Sequence, residues 1–427
     1  MESRQPVGPR ANGHRAAHRR RAAVALAGAV CAVGLTATTA APALADTNVP
    51  LNNGQCNFGA DNIKETPWSL QRLLTKQMWA YGKGEGVKVA VIDTGVDAGN
   101  KQVKPALASA GQSFTGGKAT EDQVGHGTKV AGIIAAQQVP DSGFYGIAPG
   151  AKILPLQQTD KEKGGTAENL AKAIDAAVKA GVDIINISQG TAADPRFLPT
   201  LRQAVDKAEQ AGVLIVASAG NGGADGGEKE MYPAAFPNSN VMAVAASDRN
   251  NERAPFSQAG SFVDIAAPGV DMVSTVPKGG NCVDQGTSFA APYAAGAAAL
   301  LIGRNKAQHQ EWKPSEVIWH LEKTAERVRK NRDHNIGWGV VDPVAALNDN
   351  TKPTAEPKPD TNSNPAGTGA NIQPAVLTIG ESPEERQTRI AIYIIGGGAL
   401  AVAAVVGTSI ALRDWRRKTG IRTHGEA

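Results

Sequence analysis

Four polar residues of this chain have the types needed to make a hydroxyl group nucleophilic. They are Asp93 at the end of an apolar run, His126 between two glycines, Asn221 after Ala-Gly, and Ser288 before an alanine-rich run. A serine hydroxyl needs a base to accept its proton, and an imidazole base needs a carboxylate that holds its tautomer. The set therefore predicts nucleophilic catalysis, with Ser288 as the nucleophile, His126 as the base and Asp93 as its partner.

Such a reaction also needs hydrogen-bond donors for the negative oxygen of its intermediate. The side-chain amide of Asn221 and the backbone N–H of Ser288 are the candidates. If residues 290–302 form a buried helix, Ser288 lies in its first turn, where N–H groups lack helical partners and negative charge is favoured. Pro292 fits near the start of that helix, because its missing N–H would be unbonded there anyway.

Each residue alone has a simpler interpretation. Ser288 could be a helix N-cap, Asp93 a turn residue, His126 a loop residue and Asn221 a turn before glycines. Asp-Thr-Gly at residues 93–95 is also typical of aspartic proteases, but their site needs a second such carboxylate and this chain has one Asp-Thr-Gly. The combination of the four residues, rather than any member, favours an enzyme.

The elements that must position these residues follow a regular alternation. Strand-length apolar runs occur at residues 87–92, 152–156, 183–187, 213–218, 241–246 and 262–266, and helical patterns at 128–137, 167–180, 199–211 and 314–326. Strands that are apolar on consecutive residues and alternate with helices predict a mostly parallel sheet covered on both faces. Polar residues at the strand ends then collect at its carboxyl edge.

The N-terminal segment has the pattern of an exported protein. Of the net charge of +4, residues 1–21 contribute +5 and residues 413–427 contribute +3, so the body carries −4 and offers no case for nucleic-acid binding. An apolar stretch and Ala43-Leu44-Ala45 follow the basic start, which predicts a signal peptide at residues 1–45. Arg19-Arg20-Arg21 leaves twin-arginine export as an alternative, but its surroundings match weakly and favour the general route.

The C-terminal segment predicts a membrane anchor. Residues 390–412 form a run of 23 without a charge, which as a helix would span about 35 Å. A buried soluble helix is the alternative interpretation. Residues 413–427 are basic and indicate a cytoplasmic tail, while residues 348–389 contain six prolines and are typical of a linker. We therefore expect a single-pass cell-membrane protein with its catalytic part outside the cytoplasm.

Two cysteines remain once Cys31 leaves with the signal peptide. In an exported protein Cys56 and Cys282 are expected to join, with two free cysteines as the alternative. A bridge would tie the N-terminal extension, residues 46–80, to a point six residues before Ser288.

The motifs Asp-Thr-Gly, His-Gly-Thr, Ala-Gly-Asn and Gly-Thr-Ser-Phe-Ala-Ala-Pro, in this order, resemble the subtilisin-like (subtilase, S8) serine proteases. The resemblance covers about residues 80–347. It implies an α/β fold with a seven-stranded parallel sheet and helices on both faces, in a peptidase domain at residues 81–347. It also implies the roles given above for Asp93, His126, Asn221 and Ser288. By the same matching, the substrate cleft would be lined by Ser188, Gln189, Gly190, Ala217, Ser218 and Ala219.

The flanking segments resemble those of mycosins, the subtilases associated with bacterial type VII secretion. Only about 35–40 residues separate Ala45 from the catalytic core, too few for a separate pro-domain. The resemblance implies that the extension wraps the catalytic domain. No convincing cluster of oxygen ligands occurs, so we expect neither metal nor cofactor. The expected partners are a protein or peptide substrate, the membrane and a type VII secretion complex. The alternative function is a mainly structural component of that complex with slight or regulatory peptidase activity.

Overall fold

A parallel β-sheet forms the centre of the molecule. The computed structural model describes residues 56–160, 165–223, 229–327, 331–358, 391–393, 404–415 and 417. In chain order the sheet strands are β1 Lys88–Asp93, β2 Gln112–Ser113, β3 Lys152–Gln157, β4 Ile184–Ile187, β5 Leu214–Ser218, β6 Val241–Ser247 and β7 Ile265–Pro268. They are adjacent in the order β2-β3-β1-β4-β5-β6-β7, and every neighbouring pair is parallel. The predicted seven-stranded parallel sheet is therefore confirmed.

Helices cover this sheet, and one hairpin forms a separate two-stranded sheet. The α-helices in the described ranges are α1 Trp68–Gln71, α2 Thr75–Met78, α3 His126–Ala135, α4 Ala167–Lys179, α5 Pro199–Gln210, α6 Thr287–Ala307, α7 Pro314–Thr324 and α8 Pro343–Asn348. The antiparallel hairpin consists of β8 Met272–Thr275 and β9 Asn281–Asp284. The six predicted strands and the predicted helices overlap these elements. The two-residue β2, the hairpin and α8 have no clear pattern in the sequence.

The side chains of successive strand residues point to opposite faces of the sheet, and both faces are buried. In β1, Val89 and Val91 belong to one apolar cluster, which contains α3 and α6 residues. Ala90 and Ile92 belong to a second cluster with α4 and α5 residues. Burial on both faces is the reason that these strands are apolar on consecutive residues instead of alternating.

Helix α6 begins earlier than the alanine-rich run indicated. It starts at Thr287, so Ser288 lies in the first turn as predicted, but Pro292 lies inside the helix rather than in its first turn. A proline cannot donate the hydrogen bond to the carbonyl four residues before it. That carbonyl belongs to Ser288, and it accepts instead a hydrogen bond of 2.8 Å from the Ser188 hydroxyl.

Residues 56–81 pack against the strands and helices that follow them. Leu70, Leu73 and Met78 are buried in the same cluster as α3 and α6. The indole N–H of Trp68 donates to the Val270 carbonyl at 2.9 Å, and that of Trp79 donates to the Ile147 carbonyl at 3.0 Å. This segment therefore contributes apolar side chains to the core.

The chain divides into two compact units, residues 1–359 and 360–427. In the second unit, residues 391–393 and 404–415 are helical. Among the residues that the structure describes, no helix has both the length and the apolar character needed to cross a membrane. The predicted signal peptide, and most of residues 359–403, lie outside the described residues.

Candidate active site

Three adjacent strands bring the predicted site residues to the carboxyl edge of the sheet. Strand β1 ends at Asp93, and its neighbour β4 leads directly into Ser188. Strand β5, on the other side of β4, ends at Ser218, three residues before Asn221. Because these strands are parallel, the residues at their ends face a common cleft.

Asp93 and His126 form a buried pair. The Nδ1 atom of His126 lies 2.7 Å from Asp93 Oδ1, and the two residues are 5 % and 0 % exposed. The same oxygen accepts a 2.8 Å hydrogen bond from the Thr94 backbone N–H. A carboxylate in this position favours the tautomer with a proton on Nδ1, which leaves Nε2 as the basic atom.

A second buried carboxylate, that of Asp122, organises the loop around this pair. Asp122 Oδ1 accepts from Thr94 Oγ1 at 2.8 Å and from the Gly125 N–H at 2.7 Å. Its other oxygen accepts from the N–H and hydroxyl of Thr128, at 2.8 and 2.7 Å. Burial raises the pKa of Asp122 above its ordinary value, and these hydrogen bonds oppose the rise. The sequence did not indicate Asp122, because nothing near it in the chain distinguishes it from a surface acid.

Ser288 and Ser188 exchange hydrogen bonds across the cleft. The Ser288 hydroxyl donates to the Ser188 carbonyl at 2.8 Å, and the Ser188 hydroxyl donates to the Ser288 carbonyl at the same distance. The amide of Asn186, wholly buried in β4, donates to Ser188 Oγ at 3.0 Å. Next to Ser288, the ring of Phe289 lies 5.5 Å from that of His126, centroid to centroid. The first turns of α3 and α6 therefore face each other.

Asn221 is oriented by the residue before Ser288. Its Oδ1 atom accepts from the backbone N–H and from the hydroxyl of Thr287, both at 2.9 Å. The Thr287 hydroxyl also accepts a 3.2 Å bond from the Gly220 N–H. With the oxygen end held in this way, Nδ2 is the end of the amide that remains to donate. Thr287 is a positioning residue that the sequence analysis missed.

The two candidate donors border one small space beside Gly286. A Cβ atom at Gly286 would lie 3.3 Å from Asn221 Nδ2 and 3.6 Å from the Ser288 nitrogen. Glycine leaves this space open to an oxygen atom of a bound molecule. Donors that converge on one point can stabilise developing negative charge there.

The predicted cleft residues lie in two segments on neighbouring strands, called walls below, and of these residues Ala217 and Ala219 are buried in the apolar core. Ser188, Gln189 and Gly190 follow β4, and Ala217, Ser218 and Ala219 lie at the end of β5, where Ile187 and Ala217 are in register. Met231 lies against both walls, because a Cβ at Gly220 would be 2.6 Å from its Cγ and one at Gly190 would be 3.7 Å from its Cε. The sequence did not indicate Met231, although the two glycines that accommodate it follow the strand ends.

A disulfide connects Cys56 with Cys282 in β9, with 5.6 Å between the Cα atoms. Beside it, the Gly59 N–H donates to the Pro277 carbonyl at 3.0 Å. The Phe58 ring fills the space next to Gly125, where a Cβ would be 2.7 Å from Phe58 Cε1. Residues 56–59 therefore touch the loop that precedes His126 and the β8–β9 hairpin, which ends four residues before Ser288.

The charged groups behind the site are paired. Lys129, on the helix of His126, is 7 % exposed, and its Nζ lies 2.5 Å from Asp284 Oδ2 and 5.4 Å from the centre of the Phe289 ring. Within the part of the chain that the structure describes, no three His, Cys, Asp or Glu side chains are grouped as metal ligands.

Comparison with known proteins gives a consistent result. The subtilase family (peptidase S8) matches residues 84–339. Subtilisin Savinase of Lederbergia lenta is 38 % identical over 286 residues, which cover 66 % of this chain and 99 % of that protein.

Two solved structures of mycosins are also similar. The MycP3 protease from the type VII (ESX-3) secretion system has 30 % identity and a TM-score of 0.57, over 70 % of this chain and 90 % of its own. MycP1, described as an essential component of the type VII (ESX-1) secretion system, has 29 % identity and a TM-score of 0.59, over 68 % of this chain and 90 % of its own.

Proposed function

The chain belongs to the subtilase family of serine endopeptidases, and from this premise we propose that Asp93, His126 and Ser288 are its catalytic residues. The observation that carries the assignment is the 2.7 Å contact between Asp93 and His126. His126 lies in the first turn of α3, which faces the first turn of α6, where Ser288 lies. A buried carboxylate held against an imidazole supports a base, and the hydroxyl across the cleft is the group such a base would activate.

In the proposed mechanism the Ser288 hydroxyl turns from the Ser188 carbonyl towards Nε2 of His126. Its oxygen bonds to the carbonyl carbon of the substrate while its proton moves to Nε2. The Asn221 amide and the Ser288 N–H donate to the resulting oxyanion. The carbon–nitrogen bond then breaks as His126 gives its proton to the leaving amine. A water molecule gives a proton to the same imidazole and bonds to the acyl carbon; the ester bond then breaks, the proton returns to the Ser288 oxygen, and the acid is released.

We further propose that the substrate residue before the cleaved bond lies between the walls at residues 188–190 and 217–219. Gly190 carries no side chain, and the thioether of Met231 lies beside it. An apolar side chain of moderate size is the expected fit, because the walls carry little charge.

Labelling with a fluorophosphonate probe tests the assignment. The intact chain should be labelled, while Ser288→Ala should not be and His126→Ala should be labelled far more slowly. Ser109→Ala, which removes an exposed serine hydroxyl, is the matched control and should be labelled like the unaltered chain. Equal labelling of Ser288→Ala and of the unaltered chain would refute the proposal.

We also propose that the enzyme is exported and membrane-anchored, with a signal peptide at 1–45, an extension at 46–80, a linker at 348–389, an anchor at 390–412 and a cytoplasmic tail at 413–427. The uncharged run followed by arginines supports this arrangement. A chain ending at residue 389 should appear in the culture medium, whereas the full chain should sediment with membranes. Recovery of both in the same fraction would contradict the anchor.

A second candidate function is a structural part of a type VII secretion complex. The similarity to MycP1, itself described as an essential component of such a system, favours it. Secretion should be compared between Ser288→Ala and a full deletion. Normal secretion with Ser288→Ala and no secretion with the deletion would mean that the protein supports export as a structural part of the complex. Equal loss of secretion in both would mean that export depends on cleavage of a secreted or complex-associated protein.

A further inference from the structure

We propose that Lys129 is a positioning residue, whose ion pair with Asp284 aligns the base of the reaction with its nucleophile; this inference rests on the proposed function. Lys129 lies in the first turn of α3, three residues after His126. Asp284 is the last residue of β9, four residues before Ser288. Lys129 Nζ lies 2.5 Å from Asp284 Oδ2. The pair therefore joins the helix that carries the base to the strand that leads to the nucleophile.

The placement of Lys129 does not serve the stability of α3. A cation is favoured at the C-terminal end of a helix and disfavoured in the first turn, where the helix dipole is positive. Lys129 is also buried, and a buried ammonium group is costly unless it is paired. A buried ion pair seldom stabilises a fold more than apolar side chains of similar volume would. The geometry that the pair imposes therefore explains its presence better than stability does.

Asp284 connects Lys129 with the loop before Ser288. Its Oδ2 atom contacts Lys129, while its Oδ1 atom accepts a 2.8 Å hydrogen bond from the Gln285 backbone N–H. The carboxylate is therefore held at both oxygens, and residues 285–287 alone separate it from Ser288. A change in the position of this carboxylate would be passed on to the nucleophile through that short connection.

Lys129 also contacts the residue that follows Ser288. Its Nζ lies 5.4 Å from the centre of the buried Phe289 ring, and a cation over an aromatic ring is attracted to the face of that ring. The centre of the Phe289 ring lies 5.5 Å from that of His126. Lys129 therefore contacts the chain on both sides of Ser288, on one side through a ring that packs against the base.

Two hydroxyl groups of β8 hold α3 against the hairpin without the Lys129 side chain. Ser274 Oγ donates to the Lys129 carbonyl at 2.6 Å, and Thr275 Oγ1 donates to the Thr128 carbonyl at 3.0 Å. A Cβ at Gly132 would overlap Thr275 Oγ1, so the helix and the strand approach each other closely. These contacts should keep α3 in place when the side chain of Lys129 is changed. The ion pair then controls fine position rather than attachment.

The test is steady-state hydrolysis of a chromogenic peptide anilide by the full chain carrying Lys129→Met. Methionine fills similar space without a charge, and the Asp284 side chain, 32 % exposed, is left able to bind water. We expect kcat to fall at least about fivefold, since a misplacement of about 1 Å costs up to about 10² in rate. KM and the melting temperature should change little. Titration of Ser288 with a fluorophosphonate to its end point gives the concentration of active enzyme, so misfolded protein does not enter kcat.

Three further variants separate positioning from a general loss of charge. Lys129→Arg keeps a cation opposite Asp284 and should retain most of kcat. The double variant of Lys129→Met with Asp284→Asn should be no slower than Lys129→Met, because residues that act as one unit are not additive. Lys207→Met is the matched control, since it breaks an ion pair of 3.1 Å between α5 and α4, and it should hydrolyse the anilide like the unaltered chain.

Two sets of results would overturn the inference. The first is an active unaltered chain with an equal kcat in Lys129→Met, or with equal losses of kcat in Lys129→Met and Lys207→Met. A lower melting temperature of Lys129→Met at unchanged kcat belongs to this set, because the pair would then serve stability alone. The second is an unaltered chain that neither hydrolyses the anilide nor is labelled at Ser288, which would refute the proposed function and this inference with it.

Discussion

Replacing Thr287 by valine tests whether the geometry around Ser288 is organised for catalysis. The Thr287 hydroxyl bridges the Gly220 N–H, at 3.2 Å, and Asn221 Oδ1, at 2.9 Å, and the residue is wholly buried. Valine has nearly the same shape but cannot bridge them. The change therefore removes a constraint on the Asn221 amide without emptying the space that the side chain fills.

The size of the effect depends on the hydrogen bonds to Asn221 that remain in Thr287→Val. The Thr287 backbone N–H still donates to Asn221 Oδ1 at 2.9 Å, so the amide loses one of its two bonds. Loss of a whole oxyanion donor costs about 10²–10³ in kcat, a range measured on subtilisin, which belongs to the same family. Partial misplacement should cost about 1–2 kcal/mol, or five- to thirtyfold in kcat, from the energy of one hydrogen bond. KM should change little, because the donor acts on the intermediate.

The assay is steady-state hydrolysis of a chromogenic peptide anilide, with Thr287→Ser as the control that keeps the hydroxyl. The double variant of Thr287→Val with Asn221→Leu gives the decisive comparison. If Thr287 acts through Asn221, the second change should add nothing once Asn221 is gone. A thirtyfold loss that persists in the Asn221→Leu background, or an unchanged kcat in Thr287→Val, would refute the reasoning.

Three other changes have defined outcomes. Cys56→Ser opens a covalent loop of 226 residues and should lower the free energy of unfolding by at most about 5 kcal/mol on the chain-entropy model. Urea denaturation measures this change. Unchanged stability together with unchanged probe labelling would count against a role for the Cys56–Cys282 disulfide near Ser288. Gly286→Ala places a Cβ 3.3 Å from Asn221 Nδ2 at a φ of 151°, which an alanine adopts only with strain, so kcat for the anilide should fall at least tenfold and the melting temperature should also fall; an unchanged kcat would mean that the oxyanion lies elsewhere. Burial raises the pKa of Glu322 to about 9 and that of Asp264 to about 7, so the folded state holds these protons longer than the unfolded state and stability falls as pH rises from about 4 to about 9; Glu322→Gln should reduce this fall in melting temperature, and an unaltered slope would contradict this.

Much of the candidate site was predictable from the sequence because its signals are local. Asp93 is the last residue of an apolar strand, and Ser288 lies in the first turn of an apolar helix. A residue at the end of a parallel strand lies at the carboxyl edge whatever the rest of the chain does. The same local logic covers most strands and helices, since burial on both sheet faces leaves consecutive apolar residues in the chain.

Short or irregular elements were not predictable in this way. Strand β2 has two residues, Gln112 and Ser113, too few to show a period. It joins the sheet because β3 offers it an open edge. The true start of α6 was also hidden, because Pro292 appeared to mark the first turn. Only the fold shows that Ser188 accommodates the carbonyl which this proline leaves unbonded.

What only the tertiary structure decided is how side chains from distant parts of the chain orient one another. Sequence alone established the residue types of a serine endopeptidase and the α/β order of its elements. It did not establish that Thr287 holds Asn221 or that Asp122 organises the loop of His126. The physical reason is that a hydrogen bond depends on distance and direction between two atoms, and residue type records neither until folding brings those atoms together.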